Sequence, residues 1–352
     1  MTAPTPLRPD LSSLPAYVAG RTVAGAVKLA SNEVALPPHP AVQAAVAEAV
    51  AAGNRYPDIT VTALGSRLAE HHGVAPERVA VGCGSVALCQ QLVSAVCSPG
   101  DEVVFAWRSF EAYPIVTLIG HATAVPVPLT TGHVHDLDAM AAAITERTRV
   151  VFVCNPNNPT GTAVRRAELE AFLARVPDHV LVVLDEAYRE FVSDPDVPDG
   201  LSLLDAHPHV VVLRTFSKAH RLAGLRVGYA IGPADLAAAL KSVSVPFSVS
   251  TPAQAAALAA LDVLDELLDD ARGAVAELAR MAAALRGQGY EVPESQANFL
   301  WLPLGERTQA FTDHALDRKV VVRGFSPYGV RISAGASEEN DMLIDAASSF
   351  LG

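Results

Sequence analysis

Lysine is scarce in this chain. Only Lys28, Lys218, Lys241 and Lys319 occur, so chemistry that needs an amine has few addresses. Cysteine is equally sparse: Cys83, Cys89, Cys97 and Cys154 form no Cys-x-x-Cys pair and sit in apolar company. That pattern excludes a disulfide or zinc framework and reads as buried free thiols of a reducing compartment, with no metal expected. Runs of positive charge are missing too. With a formal net charge of −12 and basic residues standing singly, the chain has no footprint for a polyanion, which excludes nucleic acid as a partner. No stretch offers the roughly 20 uncharged residues of a membrane span, because Glu48 breaks the Ala-rich run 41–52 and Asp262, Asp265 and Glu266 break 253–268. Met1–Arg21 has neither a basic region nor an apolar run, and carries Pro4, Pro6, Pro9 and Pro15, so no secretory signal is expected there. These absences together predict a cytoplasmic protein.

What is present is apolar bulk. At 352 residues and 50% hydrophobic, the chain can bury a large core and exceeds one ordinary domain length. Short β-branched runs at Val79–Val81, Glu102–Phe105, Val150–Cys154, Val180–Leu184, Val210–Leu213 and Arg226–Ile231 alternate with helical segments. The alternation predicts an α/β fold with a mostly parallel sheet, and the lack of strict period two predicts strands buried on both faces. Beyond Pro246 the text changes to one long helical stretch, Pro252–Gln288, then short strands near Phe299–Leu302, Val320–Val322 and Val330–Ser333 and a last helix from Glu338. The expected division is an N-terminal arm (1–30) packing on the small domain or a partner subunit, a large domain (31–246) and a small α+β domain (247–352).

Four polar clusters follow strand runs immediately: Gly82-Cys-Gly-Ser85, Asn155-Pro-Asn-Asn-Pro-Thr-Gly161, Asp185-Glu-Ala-Tyr188 and Thr215-Phe-Ser-Lys218. Singly, each is ordinary turn chemistry. Jointly they place a small-residue turn, an amide cluster, a carboxylate with a phenol, and a lysine with hydroxyls along the carboxyl edge of one sheet, where open α/β sheets bind ligands. Gly82-x-Gly84-x-x-Ala87 imitates a dinucleotide fingerprint, but Asp101 begins its strand instead of ending one. The loop therefore reads as a phosphate cradle built on the Ser85 and Val86 amides.

The run Val210-Val-Val-Leu-Arg-Thr-Phe-Ser-Lys218, with Arg226 eight residues further on and Asn-Pro-Thr-Gly and Asp-x-x-Tyr upstream, resembles the fold-type-I aminotransferases. Within them the chain is similar to the histidinol-phosphate aminotransferase family, and most to its bacterial phenylalanine or aromatic amino acid aminotransferase branch. The resemblance runs from Pro-Ala-Tyr near residue 17 to Gly329-Val-Arg-Ile-Ser333. It implies a large cofactor domain with a smaller α+β domain, and pyridoxal 5'-phosphate joined to Lys218 as an imine, with Lys218 also moving protons. Asp185 would pair with the pyridinium nitrogen, Tyr188 and Asn158 would donate to the ring's phenolic oxygen, and Phe110 would stack on the ring. Ser85, Val86, Thr215, Ser217 and Arg226 would hold the phosphate, joined by Tyr56 from the other subunit of a homodimer. Arg331 would clamp the substrate α-carboxylate, with Asn32, Asn298, Tyr17 and Arg323 as further substrate contacts.

Two departures bear on the substrate. Where histidinol-phosphate enzymes show Pro-Thr-Tyr-x-x-Tyr, this chain has Arg108-Ser-Phe-Glu-Ala-Tyr113, so a hydroxyl that could serve a substrate phosphate is replaced by the apolar Phe110, with Trp107 nearby. That suits an aromatic side chain. The usual Lys-x-Tyr-Gly becomes Lys218-Ala-His-Arg221, which sets an arginine where a positive backbone angle would strain it. The expected activity is ping-pong transfer from an aromatic amino acid to 2-oxoglutarate. Histidinol-phosphate transamination, a decarboxylase or lyase using the same lysine, and a non-catalytic cofactor-binding regulator are the alternatives.

Overall fold

A computed structural model describes Arg8 and residues 20–351; most of the expected arm, Tyr17 included, lies outside the described residues. The strands in chain order are β1 (Val27–Lys28), β2 (Val79–Gly82), β3 (Glu102–Trp107), β4 (Thr123–Pro128), β5 (Thr148–Cys154), β6 (Leu181–Asp185), β7 (Val210–Thr215), β8 (Gly228–Ile231), β9 (Phe299–Leu302), β10 (Val320–Val321), β11 (Arg323–Phe325) and β12 (Gly329–Ser333). Seven of them form one sheet in the order β2-β8-β7-β6-β5-β3-β4. All neighbours from β7 to β4 are parallel, while β8 runs antiparallel to both β7 and β2.

Successive residues of the central strands feed two different cores. Val104, Val151, Val182 and Val212 join one cluster, and Val103, Val150, Val183 and Val211 join the other. Helices cover both faces, so the middle positions of these strands are apolar on either side and the period-two signal vanishes. Each fully buried valine adds about 1.5–3 kcal/mol of transfer free energy.

Three expectations are corrected. β4 was not foreseen: its sequence TAVPVP carries Pro126 and Pro128, which a sheet tolerates because β4 is the edge strand. Pro252–Gln288 is two helices, Thr251–Asp262 and Leu264–Gly287, broken at Val263. The last strand of the large sheet starts at Gly228, because Arg226 takes a left-handed backbone (φ 57°) just before it.

A third cluster, around Met281, Leu285, Phe311 and Leu343 and joined by Leu29, packs against the antiparallel sheet β11-β12-β9. β1 pairs with β10 in this part of the molecule. A small cluster of Tyr188, Phe191, Ala219, Ala271, Ala297 and Phe299 joins it to the large sheet. Among the described residues no helix is long and apolar enough to cross a membrane.

Candidate active site

The carboxyl edge of the large sheet opens on a cavity of about 340 Å³. β2 passes through Gly84 into the helix Ser85–Val96, β6 ends on Asp185, and β7 ends on Thr215 three residues before Lys218. Because β8 is antiparallel, its start lies at this same edge and brings Arg226 with it. The cavity is lined by Ser85, Val86, Phe110, Asn158, Asp185, Tyr188, Thr215, Ser217, Lys218 and Arg226, and by Asn32, Arg323 and Arg331 from the facing side.

Lys218 is half-buried; its Nζ donates to the Ser31 carbonyl at 3.4 Å and stands 5.6 Å from the Tyr188 ring centroid. Burial first, then the Arg331 and Arg226 charges, push its pKa down to about 7, against the opposing pull of Glu33 and Asp185. The amine is therefore substantially neutral, and nucleophilic, near neutral pH.

Asp185 is buried. Its Oδ2 accepts the Tyr113 hydroxyl at 2.8 Å, while Oδ1 is buried as well and has no partner among the described residues. Burial raises its pKa, opposed by the Tyr113 hydrogen bond, the Ala187 amide and the Lys218 charge. A carboxylate in that condition calls for a cationic hydrogen-bond donor at Oδ1. Tyr113 was not among the expected site residues. It stacks on Phe152 with centroids 4.5 Å apart, which aims its hydroxyl at Asp185.

The opposite end of the cavity is a cup for an anion. The first amides of the helix Ser85–Val96 are joined there by Thr215 Oγ1, which donates to Ser217 Oγ at 2.9 Å, and by Arg226 Nη1, which donates to the same Ser217 Oγ at 3.1 Å. Two glycines make the close approach possible. A Cβ on Gly84 (φ 81°) would lie 2.5 Å from Arg226 Nη2, and one on Gly228 would lie 2.7 Å from the Ser85 nitrogen. Helix amides, hydroxyls and a guanidinium converging on one point suit a phosphate dianion.

On the facing side, Arg331 is buried and donates from Nη1 to Asn158 Oδ1 at 2.5 Å and from Nη2 to the Ala30 carbonyl at 2.7 Å. Asn158 thus keeps its amide nitrogen for another acceptor. Asn32, in the left-handed region at φ 55°, donates from Nδ2 to the Tyr188 hydroxyl oxygen at 2.9 Å, leaving that hydroxyl's proton to be donated elsewhere. Phe110 stands edge-on to Tyr113 with centroids 5.6 Å apart. Arg323 forms an ion pair with Glu111 at 2.8 Å.

Two expected site residues lie elsewhere. Asn298 does not line the cavity; its side chain donates to the Asn32 carbonyl at 3.3 Å, so it supports Asn32 from behind. Tyr56 is 81% exposed, outside this cavity, and stacks on Phe247 with centroids 4.6 Å apart. Glu111 and Ser31 are cavity residues that sequence reasoning did not single out.

Arg221 does adopt a positive φ, 60°, in the turn closed by its amide donating to the Lys218 carbonyl at 2.9 Å. Its guanidinium ion-pairs with Asp270 of the helix Leu264–Gly287 and donates to the Pro37 carbonyl at 3.2 Å. These contacts hold an unfavourable backbone in place. His220 beside it is buried against Phe216, and burial lowers its pKa to about 4, so it stays neutral. Arg221→Ala keeps the strain and loses the contacts, whereas Arg221→Gly loses the contacts and sheds the strain. The glycine variant is therefore expected to be more stable than the alanine variant by about 1 kcal/mol in urea unfolding; equal stabilities would show that the turn is unstrained.

The family described as aminotransferase class I and II matches residues 24–347. A Streptomyces coelicolor protein named aromatic amino acid aminotransferase is 56% identical over 348 residues, covering 98% of this chain and 97% of that protein. A Nocardia farcinica protein of the same name is 56% identical over 345 residues, covering 97% and 96%. Among solved structures, histidinol-phosphate aminotransferase from Sinorhizobium meliloti in complex with pyridoxal-5'-phosphate superposes with a TM-score of 0.91 at 29% identity, covering 100% of both chains.

Proposed function

The chain belongs to the class I and II aminotransferases, and on that premise we propose that it moves the amino group of an aromatic amino acid to 2-oxoglutarate with pyridoxal 5'-phosphate held on Lys218. The observation that carries this reading is the meeting, in one cavity, of the half-buried Lys218 amine with a buried Asp185 carboxylate whose Oδ1 lacks a partner among the described residues.

The residues fit the cofactor. A buried, orphaned carboxylate oxygen suits a protonated ring nitrogen, and the glycine-lined cup suits a phosphate dianion. When bound, the cofactor supplies an electron sink for the electrons released at the substrate Cα. Asp185 keeps the ring nitrogen protonated, and Tyr113 fixes the carboxylate's orientation. The Tyr188 hydroxyl and the Asn158 amide nitrogen would be the donors to the ring's phenolic oxygen. Lys218 would take the proton from the substrate Cα and hand it to the cofactor's C4′, the net shift that transamination requires. Arg331 takes the α-carboxylate, which holds that group in place and leaves the Cα–H bond as the one to break. Ser85, Val86, Thr215, Ser217 and Arg226 hold the phosphate.

Phe110 supports the aromatic donor, since it offers a ring face and no hydroxyl, and so do the names of the Streptomyces and Nocardia relatives. Histidinol-phosphate transamination is the second reading, favoured by the name of the Sinorhizobium neighbour; that protein is 29% identical, against 56% for the others. The exposed Tyr56 and Phe247 rings, stacked on one another, support a homodimer in which Tyr56 reaches the partner's phosphate cup. The four free cysteines support a reducing, cytoplasmic setting.

The test is a half-reaction. Holoenzyme mixed with phenylalanine is expected to convert its bound cofactor to the amine form at least about tenfold faster than with histidinol phosphate, as seen by absorbance. The reverse preference would reassign the substrate, and no conversion with either would overturn the reaction.

A further inference from the structure

A ping-pong transaminase must seat two different side chains in one cavity. If the donor is aromatic and the acceptor a dicarboxylate, one occupant is apolar and the next carries a charge. A bare cation beside a phenyl ring would be a partly desolvated, uncompensated charge, yet without a cation the distal carboxylate has nothing to hold it.

The geometry at Arg323 answers both demands. In the register of β11 and β12, Arg323 stands directly opposite Arg331, and both line the cavity. Their guanidinium carbons lie 5.1 and 5.6 Å from the centroid of the same Phe325 ring. Two guanidinium groups side by side match the two carboxylates of a dicarboxylic substrate, one for each end. In this structure Arg323 already holds a carboxylate. Its Nη2 donates to both oxygens of Glu111, at 2.8 and 3.2 Å, across 212 residues of sequence. Glu111 follows Phe110 directly, so an apolar ring that lines the cavity and the carboxylate that neutralises Arg323 are adjacent in the chain. The pair is not sealed, for the Glu111 and Arg323 side chains keep 28% and 14% exposure, and both border the cavity.

We infer that Glu111 is a specificity-determining residue, whose carboxylate occupies Arg323 while an aromatic side chain fills the cavity and yields Arg323 to the distal carboxylate of the dicarboxylic substrate. The exchange replaces one carboxylate by another on the same guanidinium, so Arg323 stays compensated in both half-reactions, while the displaced Glu111 carboxylate, already 28% exposed, turns to solvent. This inference rests on the transamination reading above.

Single-turnover half-reactions with phenylalanine and with glutamate, run on wild-type, Glu111→Gln and Arg323→Met holoenzymes, test it. Glu111→Gln frees Arg323 and is expected to shift the glutamate-to-phenylalanine ratio of apparent second-order rate constants roughly tenfold toward glutamate, the scale of one charge-assisted hydrogen bond. Arg323→Met is expected to shift the same ratio by at least roughly tenfold toward phenylalanine. An ion pair that only ties the two parts of the molecule together would change both substrates by one factor, and both variants in one direction. Either pattern overturns the inference, and each variant decides alone if the other does not fold. A wild type that converts neither amino acid fails at the transamination reading itself, a result distinct from unchanged ratios in an active enzyme.

Discussion

Lys218→Ala is expected to abolish transamination. Loss of proton transfer at Cα alone removes on the order of 10²–10⁴ in rate, and loss of covalent attachment adds to it. The phosphate cup is untouched by this change, so the variant still binds the cofactor reversibly. Borohydride reduction followed by intact-mass measurement separates the two effects: wild type gains the mass of the cofactor, and the variant does not. The wild-type amine also predicts a pH dependence. With its pKa lowered to about 7 by burial and by the Arg331 and Arg226 charges, Lys218 is protonated below that pH and neutral above it. Capture of added cofactor by the cofactor-free protein should therefore slow about tenfold per unit of pH below 7 and level off above it. A rate that keeps climbing toward pH 10 would mean that the amine has its ordinary pKa, and a Lys218→Ala chain that gains mass would place the attachment elsewhere.

Asp185→Asn should separate stability from rate. The amide is nearly isosteric and its oxygen still accepts the Tyr113 hydroxyl, but it has no charge with which to keep the cofactor's ring nitrogen protonated. The expected loss in kcat is about 10²–10³, the size seen when one preorganised electrostatic partner is removed. Stability should move the other way. Burial alone raises the Asp185 pKa, which means that the cofactor-free fold holds this carboxylate at a cost, and a neutral side chain relieves it. The cofactor-free variant is thus expected to melt no lower than wild type. A variant that keeps kcat within tenfold would remove Asp185 from the role assigned to it, and a large drop in melting temperature would mark it as a structural group.

The central strands and the residues at their ends were readable because both signals are local. A β-branched run marks a strand, and a polar cluster at its close marks the sheet edge where ligands bind; Lys218, Asp185, Thr215 and Asn158 all carry that mark. What escaped depended on pairings distant in the chain or on context. Tyr113 meets Asp185 across 72 positions, and Glu111 meets Arg323 across 212. β4 hid behind two prolines that only its edge position permits. Asn298 lies one layer behind the cavity because Asn32, held at a positive φ, needs a partner for its carbonyl. The break at Val263 carries no glycine or proline to announce it. Arg221 broke a local rule, and its compensation lies in Asp270 and Pro37, both remote in sequence.

The antiparallel strand β8 has a consequence for how the protein is made. The phosphate cup calls for Ser85 from the chain's first third and Arg226 from the end of its second, and they meet only when Gly82 pairs with Gly228. Five parallel strands and their crossover connections lie between those two glycines in sequence. A chain emerging from the ribosome therefore carries its helix Ser85–Val96 for a long interval before anything can bind there, and closure of this pairing is a late, high-contact-order event. The cofactor can stabilise only the completed sheet, so its binding pulls on a late step of folding instead of the first.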